Sequence, residues 1–314
     1  MANFQTMKLQ GTKRLLNRFE TIILTSLLFA MIIALSSCGS GQKSTNYVDQ
    51  ALVYISDRDG FNLYQIDQLG QWEKQLTFEV GQEYNPKWNE GLQSIVYYSL
   101  SDDGDFRLKV LNSAEMDSLA FFGLNEVQLF PDAKSILFTV KEEGGNGIWM
   151  SNLGGGGMQE LVSSKSNNGH ISISPNGETI AFISDRTGSS ELFKLDLKTL
   201  ILSQLTENTL VEKYSSWSPD GRKIAFSMRE NDDSAKEDIY IINSNGSDLQ
   251  QLTRTPYAEQ ELAWSLDGKK IAFHATSIAD GDQIYTINLE DGHFVKITSE
   301  SFYHGAPTWV KVKP

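Results

Sequence analysis

One hairpin recurs along the chain. "YSSWSPDGRKIAF" (Tyr214–Phe226) returns as "LAWSLDGKKIAF" (Leu262–Phe273) and as "ISISPNGETIAF" (Ile171–Phe182). Aligning on its Trp gives six anchors: Trp88, Phe130, Ile173, Trp217, Trp264 and Trp309, spaced 42, 43, 44, 47 and 45 residues apart. Two further registers keep the same period. One reads "LYQID", "LKVLN", "IWMSN", "LFKLD", "IYIIN" and "IYTIN", beginning at Leu63, Leu108, Ile148, Leu192, Ile239 and Ile284. The other is "QLT" at Gln75, Gln204 and Gln251, with "KIT" at Lys296 and weaker echoes at Leu119 and Leu161.

A period in the forties with four short strands per repeat is the mark of a propeller blade. In Ser218-Pro219-Asp220-Gly221, Pro presets the first turn dihedral, Asp bonds back to the backbone and Gly accepts a positive φ. The strands are apolar on both faces. One such sheet cannot cover itself, whereas a ring of them can. Before Trp88 lie three strands, and after the last "KIT" lies one, Pro307–Val312. The expectation is an all-β, six-bladed β-propeller with four-stranded blades, closed by the C-terminal strand joining the N-terminal blade.

Residues 1–37 differ from the rest. Lys8, Lys13, Arg14 and Arg18 precede an apolar run, Ile22–Leu35, short for a membrane span. It ends in Leu35-Ser36-Ser37-Cys38, which resembles a bacterial lipobox and implies lipid on Cys38 and cleavage before it. A plain secretory signal or an N-terminal anchor helix is the other reading. Cys38 is the only cysteine, so no intramolecular disulfide can form. The domains read as a signal peptide at 1–37, a flexible tether at 38–50 and a propeller at 51–314.

The net charge is −13, and removing residues 1–37 takes away four cations and one anion, leaving about −16. Such a surface argues against nucleic acid, which demands clustered Lys and Arg.

The set W-S-P-D-G-x-K-I-A-F, then S-D-R-x-G at Ser56–Gly60 and Ser184–Gly188, then I-Y-x-I-N, then Q-L-T resembles the TolB-type β-propeller repeat across about residues 51–312. The third blade is eroded at Phe130–Ala133 and padded by Gly154–Gly157. The Gly-His and Trp-Asp pairs of tryptophan–aspartate repeats are absent. TolB proteins carry an α/β domain ahead of the propeller. Only twelve residues separate Cys38 from the first strand here, so the chain reads as a TolB-like propeller lipoprotein without that domain.

In such a ring the b–c and d–a loops share one face, with the d–a segments leading into the channel. The residue five places before each anchor is expected to ring the mouth: Glu83, Asn125, Asn168, Glu212, Glu259 and His304, with Tyr84, His170 and Tyr214 beside them. Its carboxylates would attract cations or a basic peptide. Alternatively, they pair with arginines such as Arg58 or Arg186 to lock blades together.

No metal site is expected. His170 and His304 fall in opposite blades, and His274 and His293 lie elsewhere. "SDDGD" (Ser101–Asp105) and "DGD" (Asp280–Asp282) read as acidic loops rather than Ca²⁺ loops. There is no nucleophile elbow, and Gly154–Gly157 lacks the ending of a phosphate loop.

The function expected is a monomeric, cofactor-free, non-catalytic module held on the bacterial envelope by lipid at Cys38. It binds an envelope protein, peptide or glycan. The alternative is a glycan-processing enzyme, since oligogalacturonate lyases look similar in fold and work with a metal and histidines near the channel.

Overall fold

The structure is a computed structural model. It describes residues 50–78, 82–100, 106–113, 124–153, 155–231, 236–277 and 279–312, without the side chains of Phe106, Leu124 and Asn125. Cys38, Ile22–Leu35, the tether up to residue 49, Ser101–Asp105, Leu119 and Gly154 lie outside the described residues.

Among the described residues, twenty-three strands build six antiparallel sheets. Blade 1 contains β1 (Gln50–Ser56), β2 (Asn62–Ile66) and β3 (Glu73–Gln75). Blade 2 has β4 (Gln82–Asn89), β5 (Ser94–Leu100) and β6 (Phe106–Val110), its fourth register falling at Leu119. Blade 3 has β7 (Leu124–Leu129), β8 (Ser135–Glu142), β9 (Gly145–Asn152) and β10 (Gln159–Val162). Blade 4 has β11 (Asn168–Ile173), β12 (Thr179–Ser184), β13 (Glu191–Asp196) and β14 (Leu202–Gln204). Blade 5 has β15 (Val211–Trp217), β16 (Lys223–Arg229), β17 (Asp238–Asn243) and β18 (Gln250–Gln251). Blade 6 has β19 (Ala258–Trp264), β20 (Lys270–Ser277), β21 (Gly281–Asn288) and β22 (Phe294–Lys296). The last strand, β23 (His304–Lys311), is the innermost strand of blade 1, whose order is β23-β1-β2-β3.

The expected closure is therefore present. Leu52 pairs with Trp309 and Val53 with Thr308, antiparallel. Each junction between blades holds its own apolar layer, and six layers complete the circle. Ile224 and Phe226 of blade 5 meet Ile183 and Leu192 of blade 4. Val96 and Tyr98 of blade 2 meet Ile136 and Phe138 of blade 3. At the seam, Leu52, Tyr54 and Trp309 of blade 1 meet Ala272 and Ile284 of blade 6. Burying both faces of each sheet explains strands with no alternation, such as β1, buried at every position.

The repeated turn does what its residues dictate. Ser218 Oγ donates to Asp220 Oδ1 (2.6 Å), and the N–H of Lys223 donates to Ser218 Oγ (2.9 Å). Gly221 has φ +69°, and the eroded third blade puts Ala133 into the same left-handed region at φ +57°. The a–b and c–d turns form one face of the disc, the turn face. The b–c and d–a connections form the other, the loop face.

Trp309 is 1% exposed, and its indole N–H donates to the Ala263 carbonyl across the seam (3.1 Å). Trp309→Ala is expected to cost about 3–5 kcal/mol, as for other buried aromatic truncations. Chemical denaturation read by far-UV circular dichroism checks this. An unchanged midpoint would mean that the seam does not hold the ring.

Candidate functional site

Every inner strand carries a bulge near its start. In blade 5, Lys213 pairs with Ser227 and Ser216 with Ala225, so two residues face one. The register shifts likewise between Tyr84 and Lys87, Gly169 and Ser172, and Gln260 and Ala263. Asn85, His170, Tyr214, Glu261 and Ala306 sit at φ between +47° and +55°, each three residues before its blade's anchor. A left-handed backbone at Tyr or Glu costs on the order of 1–2 kcal/mol, so surrounding bonds have to hold it.

Carboxylates from the preceding blade supply some of those bonds. Glu126 accepts from the N–H groups of His170 (2.8 Å) and Ile171 (2.9 Å). Glu261 accepts from the N–H of Ala306 (2.6 Å). Hydroxyls add to them: Ser215 Oγ donates to the His170 carbonyl (2.7 Å).

The bulges turn these side chains into the loop-face mouth of the channel, a cavity of about 510 Å³. Phe61, Tyr84, Tyr98, His170, Tyr214 and Tyr303 form its aromatic wall, and Asn85, Lys87, Glu126, Gln128 and Glu261 its polar groups. The His170 and Tyr214 rings lie 4.6 Å apart, and Phe61 stacks on Tyr84 at 6.1 Å. Lys87 also lines the cavity that opens on the turn face, so it stands midway along the channel. It makes no ion pair with a described residue. Burial pulls its pKa below the ordinary lysine value, against the attraction of Glu261 and Glu126. Burial also lowers the His170 pKa, against the attraction of Glu126.

The sequence expectation for the mouth divides here. Tyr84, His170 and Tyr214 line it. Glu83, Asn168, Glu212, Glu259 and His304 do not: all are at most 1% exposed and lie between blades. Asn125 lies in β7 with its side chain outside the described residues. The bulge is the reason. One extra residue reverses which face every upstream side chain takes.

The buried carboxylates do lock blades, but through threonine rather than arginine. The Thr of "QLT" accepts from the backbone N–H of its own blade and donates to the Glu of the next. Leu192 N–H donates to Thr206 Oγ1 (2.8 Å), which donates to Glu212 (2.8 Å). Thr77 bonds Glu83, and Thr253 bonds Glu259, in the same way. Arg58 instead pairs with Glu73 (2.6 Å) and Glu300 (2.8 Å) of its own and the adjoining blade. Arg186 Nη2 donates to Asn168 Oδ1 (2.9 Å).

His304 takes the Glu position at the seam. Thr298 accordingly turns to Gln283 (2.9 Å). Neither ring nitrogen of His304 has a hydrogen-bond partner. Burial, helped by the Arg58 charge, pushes its pKa down to about 4. His274 lies in β20 near Asp282 (3.0 Å) and Glu261 (3.7 Å), and His293 sits in the c–d turn of blade 6. Among the described residues no three His, Cys, Asp or Glu side chains converge as a metal-binding group.

The family model described as TolB beta propeller domain matches residues 109–233 and 202–312. The chain belongs to the TolB beta propeller domain family. No curated protein matches it in sequence. Among solved structures it is similar to TolB from Acinetobacter baumannii, at 21% identity and TM-score 0.69, over 83% of this chain and 66% of that one. It is also similar to the structure titled for the nidogen/laminin complex, at 8% identity and TM-score 0.64, over 83% of this chain and 98% of that one. A third is oligogalacturonate lyase in complex with manganese, at 14% identity and TM-score 0.55, over 79% of this chain and 74% of that one. At these identities the likeness concerns the fold alone, and this TolB-family propeller shares it with proteins of unlike activity.

The inter-blade carboxylates give this propeller a characteristic pH dependence. Burial pushes Glu212 up to about 8 and Glu259 up to about 7 from the ordinary 4.5. Between those values the folded chain holds protons that the unfolded chain has released. Their contribution to stability is therefore whole below about pH 4.5, falls as pH rises, and levels off above about pH 8. The slope is at most about 1.4 kcal/mol per pH unit for each group. Glu212→Gln is expected to flatten the decline between pH 5 and 8, measured by urea unfolding. An identical profile in the variant would show that Glu212 is ionised in the folded state.

Proposed function

We propose that the chain is a lipid-anchored protein of the bacterial envelope whose propeller is a non-catalytic binding module. Its site is the loop-face mouth of the channel, and its ligand is a peptide segment of an envelope protein, or a glycan, with an anionic group directed to Lys87. The carrying observation is the cavity itself: an aromatic wall around Lys87, which makes no ion pair with a described residue. Glu126 and Glu261 are occupied by backbone N–H groups, so the mouth is poorer in free negative charge than its composition suggests. Tyr84, Tyr214 and Tyr303 offer flat apolar faces with polar tips, suited to peptide or sugar.

A glycan-processing enzyme would need catalytic groups that meet in one place. His170 lines the cavity, whereas His304 is buried at the seam. The binding reading is favoured because the mouth brings together aromatic faces, one lysine and two carboxylates already bonded to backbone N–H groups.

Capture from detergent-solubilised envelopes tests it. Wild-type protein is expected to retain a partner that Lys87→Ala and Tyr214→Ala lose by at least tenfold, with melting temperatures within a few degrees of wild type. Formation of unsaturated uronate from acidic oligosaccharides, followed by ultraviolet absorbance, would instead establish the enzyme.

The anchor is tested separately. Cys38→Ala is expected to abolish lipid incorporation, read by mass spectrometry of the N-terminal peptide, and to move the protein to the soluble envelope fraction. Retention in the membrane would show that Ile22–Leu35 persists as an anchor helix.

A further inference from the structure

The two faces of the disc differ in their exposed apolar side chains. Among the described residues, twelve large hydrophobic side chains are exposed. Ten lie on the turn face or at strand ends bordering it, and only Phe78 and Phe302 lie on the loop face. Every blade whose c–d turn is described contributes: Leu69 (60% exposed) and Trp72 (50%) in blade 1, Met158 (61%) in blade 3, Ile201 (63%) in blade 4, Leu249 (46%) in blade 5 and Phe294 (38%) in blade 6. In blade 4 the flanking Leu200 and Leu202 are exposed as well.

These side chains are not one contiguous patch. They are tips set around the rim of one face, on blades that stand opposite as well as adjacent. A protein partner fills a groove or a patch near the centre of an interface. A ring of tips fits a plane. Leu, Ile, Met, Phe and Trp are the side chains that settle at the boundary of headgroups and acyl chains, roughly 5–10 Å deep.

The path of the chain points the same way. β1 is the second strand of its blade and runs from the turn face to the loop face. Gln50, its first residue, therefore enters at the turn face, beside the apolar tips. Eleven residues separate it from Cys38, a length that spans at most roughly 40 Å when fully extended.

We propose that the turn face of the propeller rests on a lipid bilayer, with its apolar turn tips in the interface and the loop-face mouth directed away from the membrane. This rests on the reading of Cys38 as the anchor. The acidic turns at Asp220, Asp267 and Asp291 share the face. The contact is therefore apolar, suits zwitterionic headgroups, and persists at high salt.

Trp72 is the probe already in place. The full chain, lipidated at Cys38, is reconstituted in phosphatidylethanolamine–phosphatidylcholine vesicles with brominated acyl chains, which quench nearby indoles. Wild-type emission is expected to fall relative to unbrominated vesicles, and Trp72→Phe is expected to remove that fall. In the Trp72→Phe background, Phe302→Trp reports on the loop face and is expected to stay unquenched. Ile201→Glu together with Leu249→Glu is expected to reduce the quenching of Trp72 at least twofold without lowering the melting temperature, since both side chains are exposed.

Protein that floats with the vesicles but is not quenched would overturn the proposal while leaving the anchor intact, and so would quenching of Phe302→Trp in place of Trp72. Self-association through this face, seen as a concentration-dependent dimer without quenching, would also overturn it. Protein that fails to float refutes the anchor, and the seated face with it.

Discussion

The structure depends on one constraint: a blade whose sheet is apolar on both sides has no solvent-facing surface to spare. Every blade therefore needs two neighbours, and an open row would always leave two faces bare. Pairing of β23 with β1 removes the open ends. It places the last strand of the sequence inside the first blade and shuts the apolar layer around Leu52, Tyr54 and Trp309. A bare strand edge would also template pairing with other chains, and closure takes that edge away at the innermost position.

Apolar layers alone do not set how neighbouring sheets are rotated. Buried Thr–Glu contacts add a directional constraint between blades 1 and 2, 4 and 5, and 5 and 6. Thr206 is held by the Leu192 N–H of its own blade, and so presents its proton to Glu212 of the next. A buried carboxyl without such a donor would be costly. The seam departs from this pattern. There His304 stands where Glu would, unpartnered at both nitrogens, with Tyr54 edge-on at 5.4 Å. The closing junction therefore lacks the Thr–Glu contact and is joined instead by the Trp309 indole on the Ala263 carbonyl and the Ala306 N–H on Glu261, beside its apolar packing.

The period, the strand count and the closing strand were legible because they are written in residue types: Trp or its equivalent at the anchor, Pro-Asp-Gly at the turn, Gln-Leu-Thr on the outer strand. The mouth was legible only in part. Counting back from the anchor presumes an unbroken alternation of faces, and the bulge breaks it. Among the five left-handed bulge residues, Asn85 and His170 are of types that favour that conformation, and Tyr214, Glu261 and Ala306 are not. At His170 and Ala306, neighbouring side chains bond the freed backbone groups. Those neighbours lie about 45 residues away in sequence, as Glu126 does from Ile171, so no local pattern announces them. The eroded third blade is the opposite case. Ala133 fills a glycine's place, and the turn still forms because Asp132 accepts from the Lys134 N–H (3.0 Å).

The electrostatics of the channel follow from the same bulges. A chain of net charge −13 would be expected to present an acidic mouth. Its inner-strand carboxylates are instead consumed structurally, some between blades by threonine and some at the bulges by backbone N–H groups. A carboxylate already accepting two N–H bonds has little left to offer a ligand. Lys87, half-buried between the two cavities and attracted by Glu261 and Glu126, makes no ion pair with a described residue. The passage thus sets one lysine between two carboxylates whose oxygens already accept backbone N–H groups, and folding decides how each of these charges is engaged.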